Sequence, residues 1–290
     1  MSDTTPTYAK TFTIGGDLTV NRLGYGAMRI TGEGIWGPPQ DHDESIRVLK
    51  RAVELGIDFI DTADSYGPHV SEELIAEALH PYPAGLVVAT KGGLLRTGPN
   101  QWPIDASPKH LEEALHGSLK RLQVAKIDLY QLHRVDDKVP FEDTLRFLQK
   151  AQQDGLIKHI GLSEVDVDQI KKAQEFVEIV SVQNMYSFDN RKWEPVLDYT
   201  REQNMAFIPW YPLAGGNAEV LATLDQVAQK HGATQQQIAL SWLLHHSPNI
   251  LLIPGTSSLA HLEENLAVAG VTLSEEQVAR LDAIAPPQEH

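Results

Sequence analysis

No cysteine occurs among the 290 residues, so disulfides, thiolate metal sites and cysteine nucleophiles are excluded together. Positive charge is scarce. With 24 Lys plus Arg against 39 Asp plus Glu, the formal charge is -15, which disfavours sequence-independent binding to nucleic acid or to an anionic membrane. An anionic ligand must find a local positive site. No uninterrupted apolar run approaches twenty residues, and residues 1–10 are polar, so the expectation is a cytoplasmic protein with no anchor. The patterns G-x-x-x-x-G-K-[ST], H-E-x-x-H and G-x-S-x-G are missing too, which removes P-loop kinase, zincin and α/β-hydrolase readings. One dinucleotide-type pattern is present only in letters: Gly32-Glu33-Gly34-Ile35-Trp36-Gly37 is followed at once by Pro38-Pro39, where a helix would have to begin. It reads as a loop.

What remains is a globular composition, 42% hydrophobic and 22% charged, with no visible linker, and residues 1–290 are expected to form a single domain. Thr11 to Ile14 and Leu18 to Val20 flank Gly15-Gly16-Asp17, a short hairpin. Strands are predicted near Arg22 to Ala27, Ile57 to Asp61, Leu86 to Thr90 and Ile127 to Leu132, and near Ile157 to Leu162, Ile179 to Gln183, Met205 to Trp210 and Ile250 to Pro254. Helical spacing separates several of them, as at Ile46, Leu49, Ala52 and Val53 or at Leu111, Ala114, Leu115 and Ser118. Ser71 and Ser107-Pro108 read as helix starts, Gly56 and Gly155 as stops. Eight strands alternating with helices close most naturally into a (β/α)8 TIM barrel, with the N-terminal β-hairpin closing the bottom. A doubly wound open sheet is the alternative.

Chemistry is expected where strands end. The stretch Ile57 to Tyr66 opens as a strand and closes as a loop, setting Asp61, Asp64 and Tyr66 just past a strand's carboxyl end, the rim at which parallel α/β folds bind ligands. The third strand ends on Lys91 and the fourth on His133. Singly, Lys91 reads as a snorkelling lysine, His133 as a satisfied loop histidine and Tyr66 as a packing aromatic. Together, in this order on consecutive strands, Asp61, Tyr66, Lys91 and His133 read as one catalytic set.

The order and the surrounding words resemble the aldo-keto reductase superfamily from about Asn21 to Leu281. The matching phrases are Arg-Leu-Gly-Tyr-Gly-Ala-Met at 22–28, Asp-Phe-Ile-Asp-Thr-Ala-Asp-Ser-Tyr-Gly at 58–67 and Asp-Leu-Tyr-Gln-Leu-His-Arg at 128–134. Further on come Ile-Gly-Leu-Ser at 160–163, Val-Gln-Asn at 182–184, Pro-Leu-Ala at 212–214 and Ile-Pro-Gly-Thr-Ser-Ser at 253–258. Tyr-Gly-Pro-His at 66–69 and the run from Ser247 to Ser258 look similar to bacterial members that reduce pyridoxal.

The resemblance implies hydride delivery from NADPH, or from NADH, to a small-molecule carbonyl compound. Tyr66 would protonate the oxygen, Lys91 would lower the phenol from its usual pKa near ~10, Asp61 would hold Lys91 and His133 would orient the carbonyl. No metal is required by this chemistry. Gly26, Ala27, Met28 and Asp61 are expected against the cofactor, with Ser163 and Gln183 on the carboxamide, Trp210 stacked on the ring, and Tyr211, Pro212, Leu213 and Gly215 along the pyrophosphate. Gly255, Thr256, Ser257 and His261 are expected at the adenosine phosphate, and Glu264 and Asn265 at the adenine.

Several positions depart from the family pattern. Glu164 stands where an asparagine is expected, Tyr211 where a serine is, and Gly255 and His261 replace the lysine and arginine that commonly grip the 2′-phosphate. A helix start after Gly255-Thr256-Ser257-Ser258 remains able to bind phosphate through N–H groups, so NADPH is still the expected partner. Tyr25, Met28, Trp36 and Trp102 are candidate pocket walls. Only nine residues follow Leu281, so the long carboxyl tail of steroid-reducing relatives is missing and a small or planar substrate is expected. Two other readings stay open: a nucleotide-binding sensor or auxiliary subunit on the same fold, and a barrel hydrolase using Asp61 with a second carboxylate.

Overall fold

The computed structural model describes residues 8–210 and 218–284. Its first two strands, β1 (Thr11–Ile14) and β2 (Leu18–Asn21), pair antiparallel across the three-residue loop Gly15-Gly16-Asp17, whose two glycines are at positive φ, a conformation that glycine adopts without steric cost. A parallel sheet then runs in sequence order through β3 (Tyr25–Gly26), β4 (Phe59–Asp61), β5 (Val87–Gly92), β6 (Ile127–Leu132), β7 (Ile157–Ser163), β8 (Ile179–Gln183) and β9 (Ala206–Phe207). Helices follow most strands: α1 (His42–Glu54), α2 (Val70–Leu79), α3 (Pro108–Leu122), α4 (Phe141–Gln153), α5 (Val167–Gln174) and α6 (Glu194–Glu202). They are joined after β9 by α7 (Ala218–His231), α8 (Gln235–His246), α9 (Leu259–Leu266) and α10 (Glu275–Ile284).

The barrel-like α/β fold is as expected, with one correction. The sheet is open: the segment Ile250 to Pro254, expected as the eighth strand, gives single parallel bridges instead, from Leu252 to one edge, where Gly255 just beyond it adds another, and from Ile250 to the other edge. Its backbone approaches through glycine. At Gly24 a Cβ would meet the carbonyl oxygens of Phe59 at 2.9 Å and Leu252 at 3.0 Å. Arg22 reinforces the same seam, donating from its buried guanidinium to the carbonyls of Ile250, Leu244, Ser247 and Ala9. Ser107 caps α3 as predicted, and Gly56 and Gly155 follow α1 and α4 at positive φ. Ser71 does not cap α2. It is buried inside the helix, bonded to Thr62 and to the Ala27 carbonyl.

Inside the sheet, period-two alternation stacks an apolar layer below a polar one. Phe59, Ala89 and Leu129 join Val87 and Val180 in an inner cluster that the hairpin residues Ile14 and Val20 plug from below. Two residues further up the same strands stand Asp61, Lys91 and Gln131. The hairpin turn is tied down by Asp17, which accepts from His159 at 2.7 Å and pairs with Lys158 at 3.0 Å. No helix among the described residues is long and apolar enough to cross a membrane.

Candidate active site

Parallel register places the polar layer. Asp61 lies opposite Ala89, two residues before Lys91, and Lys91 lies opposite Gln131, so the three side chains rise from adjacent strands into one space. The Lys91 ammonium uses all three of its hydrogens: on Asp61 Oδ2 at 2.6 Å, on the Thr62 carbonyl at 3.0 Å and on Tyr66 Oη at 3.1 Å. Asp61 Oδ1 accepts from Gln131 at 2.9 Å and from Gln183 at 3.0 Å, and Gln183 also donates to Gln131 Oε1 at 3.0 Å. Every member is buried, and Tyr66, at 7%, is the most exposed of them.

The Tyr66 oxygen accepts from Lys91 and has no acceptor for its own hydrogen among the described residues. The phenol therefore points an available proton away from the ammonium. His133 lies edge-on to the same ring, 6.0 Å between centroids, with Nδ1 3.4 Å from Ser65 Oγ.

Charge states follow from burial and neighbours. Burial raises the Tyr66 pKa and the Lys91 charge pulls it back only in part, so the net displacement is upward, opposite to the lowering expected from sequence. Lys91 is penalised by burial, but Asp61 and Tyr66 outweigh that and its pKa rises, so it stays an ammonium. Burial and the charges of Lys91 and Arg134 push His133 well below the ordinary histidine range, leaving the imidazole neutral at pH 7.

The candidate wall residues divide. Met28 and Trp102 pack around Tyr66 with Ile35 and Ala63, and Trp102 meets the Tyr66 ring edge-on at 6.2 Å. Trp36 reaches the group through Arg96, whose guanidinium lies 3.7 Å from the Trp102 ring centroid and 5.7 Å from that of Trp36. Arg96 also donates to the carbonyls of Gly34, Ile35, Ser65, Gly98 and Gln101. Tyr25 is not at this wall. It is fully buried among core residues and donates to the Thr256 carbonyl at 2.6 Å. Asp64 is not at the site either, because its side chain lies on the other side of β5 with Glu72 and Arg121.

Of the expected cofactor residues, Gly26 and Ala27 lie at the edge of β4, with the Ala27 N–H on the Asp61 carbonyl at 2.8 Å. Ser163 accepts from Arg134 at 3.2 Å, and Arg134 sits 5.6 Å from the Trp210 ring centroid. Glu164, at positive φ, accepts from Trp210 Nε1 at 2.7 Å and from the Met185 N–H, so one oxygen is already committed. Gln183 turns its amide N–H groups inward to Asp61 and Gln131. Tyr211, Pro212, Leu213 and Gly215 lie outside the described residues. Gly255, Thr256 and Ser257 line a cavity of about 680 Å³ shared with the 29–45 segment. His261 is exposed, 3.7 Å from Glu264, and Asn265 is buried and accepts from Gln236 at 3.2 Å.

Sequence reasoning did not assign Gln131, Arg96 or Arg134. Gln131 alone had a signal, two residues before His133 and in register with Lys91.

Comparison with known proteins agrees with this geometry. Residues 22–286 match the model of the aldo/keto reductase family. An uncharacterised oxidoreductase of Schizosaccharomyces pombe is 54% identical over 268 residues, 92% of this chain and 87% of that one. Pyridoxine 4-dehydrogenase of Escherichia coli is 44% identical over 283 residues, 96% and 99% of the two chains. Among solved structures, an aldo/keto reductase from Klebsiella pneumoniae in complex with NADP and acetate superposes with a TM-score of 0.82 at 25% identity, covering 97% of each chain.

Proposed function

The chain belongs to the aldo/keto reductase family of oxidoreductases, and from that premise we propose that it reduces pyridoxal, or a similarly small planar aldehyde, to the alcohol with NADPH. The observation that carries the reading is the Lys91 to Tyr66 hydrogen bond, which leaves the phenolic hydrogen free for a ligand.

The residues present fit a nicotinamide dinucleotide. The cavity of about 680 Å³ is within the usual range for small-molecule sites, and its walls offer the Gly32 and Gly255 backbone with the side chains of Thr31, Thr256 and Ser257. When bound, the cofactor supplies the hydride. The protein's part is the proton. As negative charge gathers on the substrate oxygen, Tyr66 gives up its hydrogen to it. Its raised pKa keeps it protonated at neutral pH, and the developing alkoxide is a far stronger base than a phenolate. Lys91 stabilises the phenolate left behind, Asp61 fixes Lys91, and Gln131 with Gln183 fix Asp61. His133, neutral and with Nδ1 turned to Ser65, has Nε2 available to the carbonyl oxygen. Met28, Trp36 and Trp102 form an apolar wall suited to a flat ring.

The 44% identity to a pyridoxine 4-dehydrogenase supports this substrate class, and the relatives crystallised with NADP or NADPH support the cofactor. The same reading takes residues 1–290 as one domain working in the cytoplasm. The test is turnover of pyridoxal, 4-nitrobenzaldehyde and simple ketones with NADPH and with NADH. Pyridoxal is expected to give the highest kcat/KM and NADPH the lower KM. NADPH binding without turnover of any carbonyl compound would instead leave a nucleotide sensor.

A further inference from the structure

Three cations, Lys91, Arg96 and Arg134, stand around Tyr66, and counting their hydrogens separates them. Lys91 has three and spends all of them, on Asp61, the Thr62 carbonyl and Tyr66. Arg96, packed on the Trp102 ring that meets Tyr66, has one acceptor for each of its five N–H groups, the carbonyls of Gln101, Ile35, Ser65, Gly34 and Gly98. Both are committed to the scaffold. Arg134 is committed only on one side: Nη1 donates to the His133 carbonyl at 2.6 Å and to Ser163 Oγ at 3.2 Å, while Nε and Nη2 have no partner among the described residues.

The uncommitted groups form one edge of the guanidinium plane, where an Nε–H and an Nη2–H run parallel as a fork that matches two oxygen lone pairs. Arg134 is half-buried, and a donor withdrawn from water without an acceptor is destabilising until one arrives. Its charge is unpaired as well. Glu164 is near enough to act on it but forms no ion pair with it, and Glu164 already spends an oxygen on Trp210 and the Met185 N–H. The guanidinium lies 5.6 Å from the Trp210 ring centroid and close enough for its charge to act on both Tyr66 and His133. Arg134 therefore borders the site that those two side chains flank.

We propose that Arg134 selects carbonyl compounds that carry an anionic oxygen close to the carbonyl group, such as an ortho phenolate or carboxylate, by binding that oxygen along its Nε and Nη2 edge. This rests on the reductase reading given above and narrows its substrate class. Pyridoxal fits, because its ring bears an ionisable hydroxyl next to the aldehyde. A neutral aldehyde leaves the edge unpaired. In a chain of formal charge -15, an acidic substrate needs a local positive site, and this guanidinium supplies one beside the proton donor.

Steady-state rates with NADPH test this on two pairs of aldehydes, each differing in the acidic group alone: pyridoxal with its 3-O-methyl ether, and 2-carboxybenzaldehyde with benzaldehyde. Wild type is expected to favour the acidic member of each pair by at least about tenfold in kcat/KM, chiefly through KM. Arg134→Met should lower that ratio about tenfold, and Arg134→Lys, which keeps the charge but loses the fork, should fall between. A wild type without the preference overturns the proposal before any variant is made. So does a ratio that Arg134→Met leaves unchanged, even if all four rates fall, because the guanidinium would then only brace the site through His133 and Ser163. Turnover of the benzaldehydes without pyridoxal would strike pyridoxal as the substrate while their ratio still decides the role of Arg134. Turnover of none of the four refutes the reductase reading, and this proposal with it.

Discussion

Thr90 and Lys91 are neighbours on β5, yet they serve two different buried charge clusters, one on each face of the sheet. On the inner face every hydrogen of Lys91 has an acceptor and both oxygens of Asp61 are engaged. On the outer face Glu72 accepts from Thr90 at 2.8 Å and from Arg121 at 2.9 Å, but Asp64 Oδ1, Arg121 Nη2 and Tyr130 Oη are buried without partners. Burial of charge is thus common to both and distinguishes neither. The inner cluster differs in that Lys91 and Asp61 are fully engaged, which leaves the phenolic hydrogen of Tyr66 at its open edge. The outer one is closed off by α2 and α3, and it even uses Gly92 to admit the Tyr130 hydroxyl, which would lie 2.1 Å from a Cβ there.

Substitutions in the two clusters should separate chemistry from stability. The largest effect belongs to the inner face: Tyr66→Phe is expected to lower kcat by about 10²–10⁴-fold with the fold intact, as steady-state rates and circular dichroism would show. Activity within a few-fold of wild type would remove Tyr66 as the acid. Next comes Glu72→Gln on the outer face, which leaves the half-buried Arg121 beside a neutral amide. Denaturant melts should show a loss of about 3–5 kcal/mol, while kcat/KM measured below the melting transition stays within a few-fold. A rate loss as large as that of Tyr66→Phe would merge the two clusters into one functional unit.

The smallest effect is tied to pH. Burial, with Glu72 nearby, raises the Asp64 pKa to about 8 against the partial relief of Arg121. A folded-state pKa above the unfolded value, ~3.9, means that the native protein holds the proton more tightly. Stability from this group is complete below pH ~4 and is lost as pH rises through about 8. Asp64→Asn removes that slope, so its melting temperature relative to wild type should improve steadily from acid to alkaline pH. Parallel profiles would show that Asp64 ionises normally.

The inner cluster could be read from sequence because its members fall at strand ends in consecutive order, and strand adjacency does the rest. What sequence could not supply was the face. Asp64 and Asp61 are both rim carboxylates by spacing, and only the turn after β4 decides that one enters the barrel interior and the other goes behind it. Tyr25 was misplaced for the same reason, since its phase on a two-residue strand is set by the Gly26 bridges. The upward displacement of Tyr66 depends on how completely it is buried, a property of the whole rim. Helix α8 left no periodic trace because residues 237–244 are buried on every side, which erases the polar stripe by which a surface helix is recognised. The eighth strand failed to form a ladder although its residues are β-formers, because the Gly24 and Gly255 approaches replace pairing with point contacts.

Arg96 fastens three rim loops and both tryptophans with one planar group, whereas Lys91 and Asp61 are anchored below it on β5 and β4. That division makes the wall an exchangeable fitting on a fixed engine. If the proposed function holds, trading Trp36 or Trp102 for other shapes would redraw what the site admits, while the Lys91 to Tyr66 hydrogen bond keeps its place.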